Sequence, residues 1–414
     1  MTRNRELRQV TAAWVAMLIA VATPGLCGTL KLAVDDPEGR LGRAAAPVAA
    51  TLVLPEGLEP LELVDAASGA AVPAQFLPNA KPGPGKRPQG ELVWLVPPGP
   101  KGRRLFLARR SAGQPIAAGG LQTTVADDRS HVDVTDGQTL VLRFHFGTAP
   151  LPKGVPARYA CGGYIHPLCG PDGETLTEAH PRDHPHHRGV MWAWPVCRWR
   201  GKVTDPWAVA GCWVRPEKLR VAAGGPVVAH IGASSVWKWA DRDAIVREDV
   251  AIRVYRLEHR ARVVDIEVTL EGLAADVRIG GRPGGGYGGF GLRMAPRKAQ
   301  QIALLTDPPD AKPRRSWLEY SDTFAGATGR TGVAIFEHAT NPLYPNALKQ
   351  YPNLNYVMPA FPGPREVALE KGKPVVLRYR LWVHPGHAQP DALTDQWAAY
   401  AATPQATVAR AGAK

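Results

Sequence analysis

Alternation of apolar and polar side chains dominates this chain. Val264, Ile266, Val268 and Leu270 alternate with Asp265, Glu267 and Thr269, the period of two that puts one face of a strand against a core. Leu140, Leu142, Phe144 and Phe146 alternate with Val141, Arg143 and His145, and residues 252–256 and 375–383 continue the theme. Shorter strands are predicted at 49–54, 91–96 and 104–108, punctuated by a Pro/Gly/Lys-rich loop at 78–90 and a turn at 97–100. One helix is expected near the end: Pro390-Asp391 is a start signal, and Leu393, Trp397 and Tyr400 fall on one helical face. The pattern predicts an all-β protein: a small β-sandwich domain over residues 29–125, a large antiparallel β-sandwich over 126–390, and a helix and tail over 391–414.

Composition agrees with a folded, turn-rich chain: 45% of the 414 residues are apolar, and there are 43 Gly and 40 Pro. The formal charge is +13, but the cations are dispersed and form no five-residue run. That excludes a nucleic-acid arm and leaves an acidic glycan or an anionic surface as the partner of a basic protein. Residues 1–28 read as a signal peptide: Arg3, Arg5 and Arg8 precede the apolar stretch 10–22, and small, turn-prone residues follow up to Cys27-Gly28. No other stretch is long and apolar enough to span a bilayer, so the expectation is a periplasmic or secreted protein. Cys161, Cys169, Cys197 and Cys212 remain after the leader; they permit one or two disulfides, and the absence of Cys-x-x-Cys excludes a zinc ribbon.

The densest chemistry lies in Asp183-His184-Pro185-His186-His187-Arg188-Gly189. Imidazoles exchange protons or ligate metals near neutral pH, and Pro185 favours an extended turn that splays its neighbours. His166, upstream, is expected to converge with this run. His166, His184 and His187 are the candidates for proton transfer, with Glu337 or Glu319 as carboxylate partner. Arg188 is the candidate for binding a hydroxyl or carboxylate. Trp192 and Trp194 offer flat faces for sugar rings, while His338, Asn341 and Tyr287 complete the predicted binding set, Tyr287 from the glycine-rich loop 280–291. No cofactor is predicted. If a divalent metal binds, Asp183, His184, His186 and His187 are its ligands, although their spacing matches no recognised metal motif.

Four segments together resemble a known family: His166-Pro-Leu-Cys-Gly-Pro-Asp-Gly, Asp183-His-Pro-His-His-Arg-Gly, Trp317-Leu-Glu-Tyr-Ser and Ile335-Phe-Glu-His-Ala-Thr-Asn-Pro. They resemble the uncharacterised bacterial family labelled PmoA-like, or "methane oxygenase PmoA", over about residues 127–386. Where that family carries a Lys-Glu-Gly-Gly-like pattern, this chain reads Gly284-Gly-Gly-Tyr-Gly-Gly. The resemblance implies a galactose-mutarotase-like supersandwich in an exported protein of carbohydrate metabolism, of the kind common in planctomycete-type bacteria. Its literal label is rejected, because the methane monooxygenase subunit is a bundle of membrane-spanning helices for which this chain has no room. The leading reading is a carbohydrate-active enzyme of glycoside hydrolase, epimerase or lyase type, acting on a carbohydrate or other small molecule. A non-catalytic glycan-binding or envelope scaffold protein is the alternative, and a metal-dependent oxidoreductase the third.

Overall fold

The computed structural model describes residues 29–55, 58, 61–79, 87–111, 119–148, 150–256, 260–297, 299–401 and 406–409; the leader expected at 1–28 lies outside them. Two eight-stranded antiparallel sheets form the body. One runs in the order Cys212–Ala223, Val228–Trp239, Asp243–Arg256, Arg262–Gly272, Val375–Pro385, Arg330–Glu337, Ser316–Thr323, Gln301–Thr306. The other, which carries the histidine run, has the order Ala347–Tyr351, Tyr356–Ala360, Gly289–Arg293, Val190–Ala193, Tyr164–Leu168, Thr139–His145, Val132–Asp136, Leu121–Val125. The protein is thus an all-β antiparallel sandwich, as the alternation predicts.

The alternating residues supply the contact between the sheets. Ile252 pairs with Ile266 and Ile266 with Tyr379 across neighbouring strands, so one row of apolar side chains faces the opposite sheet. Tyr379 stacks there on Phe290 at 4.2 Å between ring centres, an arrangement worth about 1 kcal/mol beyond its buried area. Trp194 and Trp237 pack in the same core, 5.4 Å apart.

The N-terminal residues build a five-stranded and a three-stranded sheet around a separate core that includes Trp94 and Phe106. The Leu121–Val125 strand pairs into the large histidine-bearing sheet rather than with these. The Pro390–Ala401 helix lays Leu393, Trp397 and Tyr400 against Trp317 and Phe336 on the outside of the long-stranded sheet, the face expected from its spacing. Beyond it, the Ala406–Ala409 strand returns to pair with Leu30–Asp36, at the edge of the five-stranded sheet. Among the described residues no helix is long and apolar enough to cross a membrane.

Cys161, Cys169, Cys197 and Cys212 are free and buried. The Cys197 thiol hydrogen-bonds that of Cys212, and this contact together with burial pushes the Cys212 thiol far up. The pair joins the short Val196–Trp199 strand to the first strand of the long sheet. On treatment with a thiol oxidant, peptide mapping without reductant is expected to recover a Cys197–Cys212 cross-link. A Cys161–Cys169 link instead would contradict this arrangement.

Candidate functional site

The histidine run is a turn pinned from below. His187 N–H donates to the His184 carbonyl at 2.9 Å, His180 N–H to the His187 carbonyl at 2.8 Å, and Gly189 N–H to the Glu178 carbonyl at 2.8 Å. Gly189 is required where it stands: its φ is +58°, and a Cβ there would meet the Ile165 carbonyl oxygen at 2.3 Å. The Val190–Ala193 strand begins at once, so the run is fixed over the outer face of its sheet.

That face gathers seven of the chain's 12 histidines. His184 lies flat on His187 at 4.8 Å and 17°, His186 meets His187 edge-on at 4.7 Å, and His187 sits 4.8 Å from the Tyr356 ring. Trp207 meets His187 edge-on and continues through Tyr287 to Tyr351 as an aromatic shelf. On the next strands His145 stacks on Tyr164 at 4.4 Å and donates from Nε2 to the His166 carbonyl at 2.8 Å, which fixes a proton on Nε2. His166 Nδ1 meets the Thr177 hydroxyl at 3.0 Å.

Burial holds these rings neutral. His145, His166 and His186 are pushed down to about 4 and His187 to about 2, desolvation being the largest cause in each. The His184 side chain is 35% exposed, and its Nδ1 lies 3.1 Å from Asp183 Oδ2, off the line of a straight hydrogen bond. Asp183 is clamped in turn by Arg293 Nη2, at 2.9 and 3.1 Å, while Arg293 Nε donates to Glu178 at 3.1 Å. Burial acts to push Asp183 up, but the adjoining His184 and Arg293 hold it below the usual carboxylate range.

Several expected members sit elsewhere. Trp192 and Trp194 turn into the core instead of facing a sugar: Trp192 Nε1 donates to Glu248 at 3.1 Å and Trp194 Nε1 to the Phe361 carbonyl at 3.0 Å. Arg188 passes beneath the face, where Nη1 donates to Cys161 Sγ at 2.5 Å and the guanidinium lies over Tyr164. Glu337 belongs to the other sheet and is closed off, with both oxygens taken by Asn346 at 2.9 and 2.8 Å. Asn341 and His338 are bound there too, to the Arg378 backbone and to Thr340. Glu319 points away from the core, to the helix-covered side of the long sheet, where it meets His387 Nδ1 at 3.1 Å and the Ala388 N–H at 3.2 Å. The carboxylate partners expected from sequence therefore do not join the histidines; Asp183 does. Tyr287 keeps its expected place, on the aromatic shelf.

Arg293 and Tyr356 are site members that sequence reasoning passed over. Glu248 is held between the Trp192 and Trp237 indole N–H groups, and burial pushes it up to about 7. For a metal, the three histidines of the run pack face to face or edge-on with their ring centres 4.7–5.6 Å apart. Among the described residues no three His, Cys, Asp or Glu side chains are placed to hold an ion. A hollow of about 940 Å³ is lined by Ala45, Pro97, Pro98 and other residues remote in sequence from the run, and no member of the run lines it.

Fold and site define an antiparallel β-sandwich protein with a histidine–arginine patch on the outer side of one sheet. The chain belongs to the family of unknown function DUF6807, whose model matches residues 131–398, a span that includes every residue of the patch. Nothing in the match links that family to PmoA. No curated protein matches the chain. Among solved structures it is similar to a protein in the glycosyl hydrolase family 38 from Enterococcus faecalis, at 9% identity and a TM-score of 0.41. That likeness covers 93% of this chain and 47% of the other, so the chain spans about half the length of that protein.

Proposed function

We propose that this protein is a carbohydrate-active enzyme that moves protons at a sugar through the Asp183–His184 pair. The observation that carries this reading is the orientation of His184. Asp183, itself fixed by Arg293, faces Nδ1, which leaves Nε2 as the working nitrogen of a half-exposed imidazole. His187 is its stacking support: a ring pushed down to about 2 is a poor base, but it gives a neutral surface for His184 to lie on. Tyr287 and Tyr351, half-buried and backed by the buried Trp207, supply apolar faces suited to sugar C–H groups.

Hydrolysis by two flanking acids fits poorly. Asp183 and Glu178, the carboxylates beside the run, are both tied to one arginine, and Glu337 and Glu319 lie elsewhere. Epimerisation or elimination, which use an imidazole base, agrees better with what the face offers. Export by the leader expected at residues 1–28 belongs to the same proposal, with the activity in the periplasm or outside the cell.

The test is a glycan panel assayed with wild type, His184→Gln and Asp183→Asn. Turnover is expected to fall about 100- to 10,000-fold in His184→Gln with binding retained. Asp183→Asn is expected to lower it and shift its pH profile. A wild-type protein that binds sugars without converting any, or full activity in His184→Gln, overturns the proposal and favours a glycan-binding protein.

A further inference from the structure

The same face holds hydrogen-bonding groups left over by the described residues. Among these residues His187 Nδ1, Arg293 Nη1 and the Tyr356 hydroxyl have no partner, and their residues are only 3%, 4% and 1% exposed. The three belong together. His187 packs on the Tyr356 ring at 4.8 Å, Arg293 pairs with Tyr356 across adjacent strands, and the Arg293 and Arg188 guanidiniums both act on the Tyr356 hydroxyl. Gly291 makes room for it: a Cβ at that position would lie 2.3 Å from the hydroxyl oxygen.

A buried polar group left unsatisfied is costly, so three together point to a partner from outside the chain. The chemistry of that partner follows from the donors. Arg293 Nη1 only donates, Tyr356 is a neutral phenol whose hydroxyl burial pushes far up, and the nearby carboxylates Asp183 and Glu178 are already engaged. The unfilled need is for an acceptor, and two buried guanidiniums favour one that carries negative charge. A net charge of +13 draws the same class of ligand from a distance.

We infer that the sugar bound at this face carries an acidic substituent, a uronate carboxylate, received by Arg293 Nη1 and the Tyr356 hydroxyl beside His187. This rests on the proposed carbohydrate reading and narrows it to a substrate class. A sulfate ester shares the anionic oxygens, so the test separates the two.

Calorimetric titrations would compare wild type with Tyr356→Phe, using uronic-acid oligosaccharides, their neutral hexose counterparts and sulfated ones. Tyr356→Phe removes a hydroxyl that no protein group bonds, so the fold is expected to survive; far-ultraviolet dichroism checks this. Uronate oligosaccharides are expected to bind wild type at least about tenfold more tightly than neutral ones, and Tyr356→Phe to lose about five- to tenfold for uronates alone. Arg293→Lys, which keeps charge but loses the fork, is expected to weaken uronate binding further. Equal affinity for neutral and acidic sugars, or an unchanged Tyr356→Phe, overturns the inference while leaving His184-dependent turnover intact. Preference for sulfated sugars overturns the carboxylate assignment. A bound-state structure with only ordered water at the three atoms does the same.

Discussion

Acidification from pH 7 to pH 4 is expected to unfold this protein cooperatively, with a midpoint between pH 4 and 6. Burial pushes His145, His166, His186, His230 and His384 down to about 4 and His187 to about 2, from an ordinary value of 6.5. Between 6.5 and those depressed values the unfolded chain binds more protons than the folded one, so stability falls as the pH falls. Each ring costs up to about 3 kcal/mol by pH 4, less where water reaches it, against a whole-protein stability of roughly 5–15 kcal/mol. Three buried carboxylates oppose this. Glu248 is pushed up to about 7, and Glu319 and Glu337 are raised as well, so each gains stability as it protonates in the folded state. Their contribution is outnumbered by six imidazoles. Tryptophan fluorescence followed against pH checks the expectation, and His187→Phe, which keeps a ring but no nitrogen, is expected to move the midpoint downward. Native fluorescence persisting to pH 3.5 would contradict it.

Glu319→Ala is expected to destabilise the fold by about 3 kcal/mol while leaving turnover per folded molecule unchanged. Glu319 is fully buried, and it holds His387 and the Ala388 N–H just ahead of the terminal helix. Removing it strips those groups of their acceptor and leaves a void beside His384, 3.7 Å away. The helix packs on Trp317, two residues earlier in the same strand, so it is expected to loosen first. Urea unfolding and a saturating assay, run side by side with His184→Gln, make the comparison: one variant loses stability and keeps activity, the other the reverse. If Glu319→Ala abolished turnover at full folding, the separation of the two centres would be wrong.

The sandwich was legible because its long strands are buried on one side. In Arg262–Gly272 the buried and half-buried positions alternate along nearly the whole strand, and that is the signal period-two reasoning detects. The same rule shows why Glu319 lies apart: it alternates with Leu318 and Tyr320, which face the core, so it must face outward. The histidine run was legible for a different reason, being contiguous in sequence. Its partners were not. Val190–Ala193, Gly289–Arg293 and Tyr356–Ala360 are buried at every position, because the run and its neighbouring loops cover the outer face of their sheet. A strand covered on both sides shows no alternation, so Arg293 and Tyr356 read as ordinary core residues.

The pairing of Ala406–Ala409 with Leu30–Asp36 has a consequence for biosynthesis. A ribosome releases Leu30–Asp36 well before its edge partner Ala406–Ala409, with the sandwich made in between. Through that interval the nascent five-stranded sheet presents an unpaired backbone edge, a template for unwanted strand addition by other chains. That sheet is thus completed after the sandwich, and a chain cut short after the helix would emerge with its histidine-bearing face built and its five-stranded sheet unsealed.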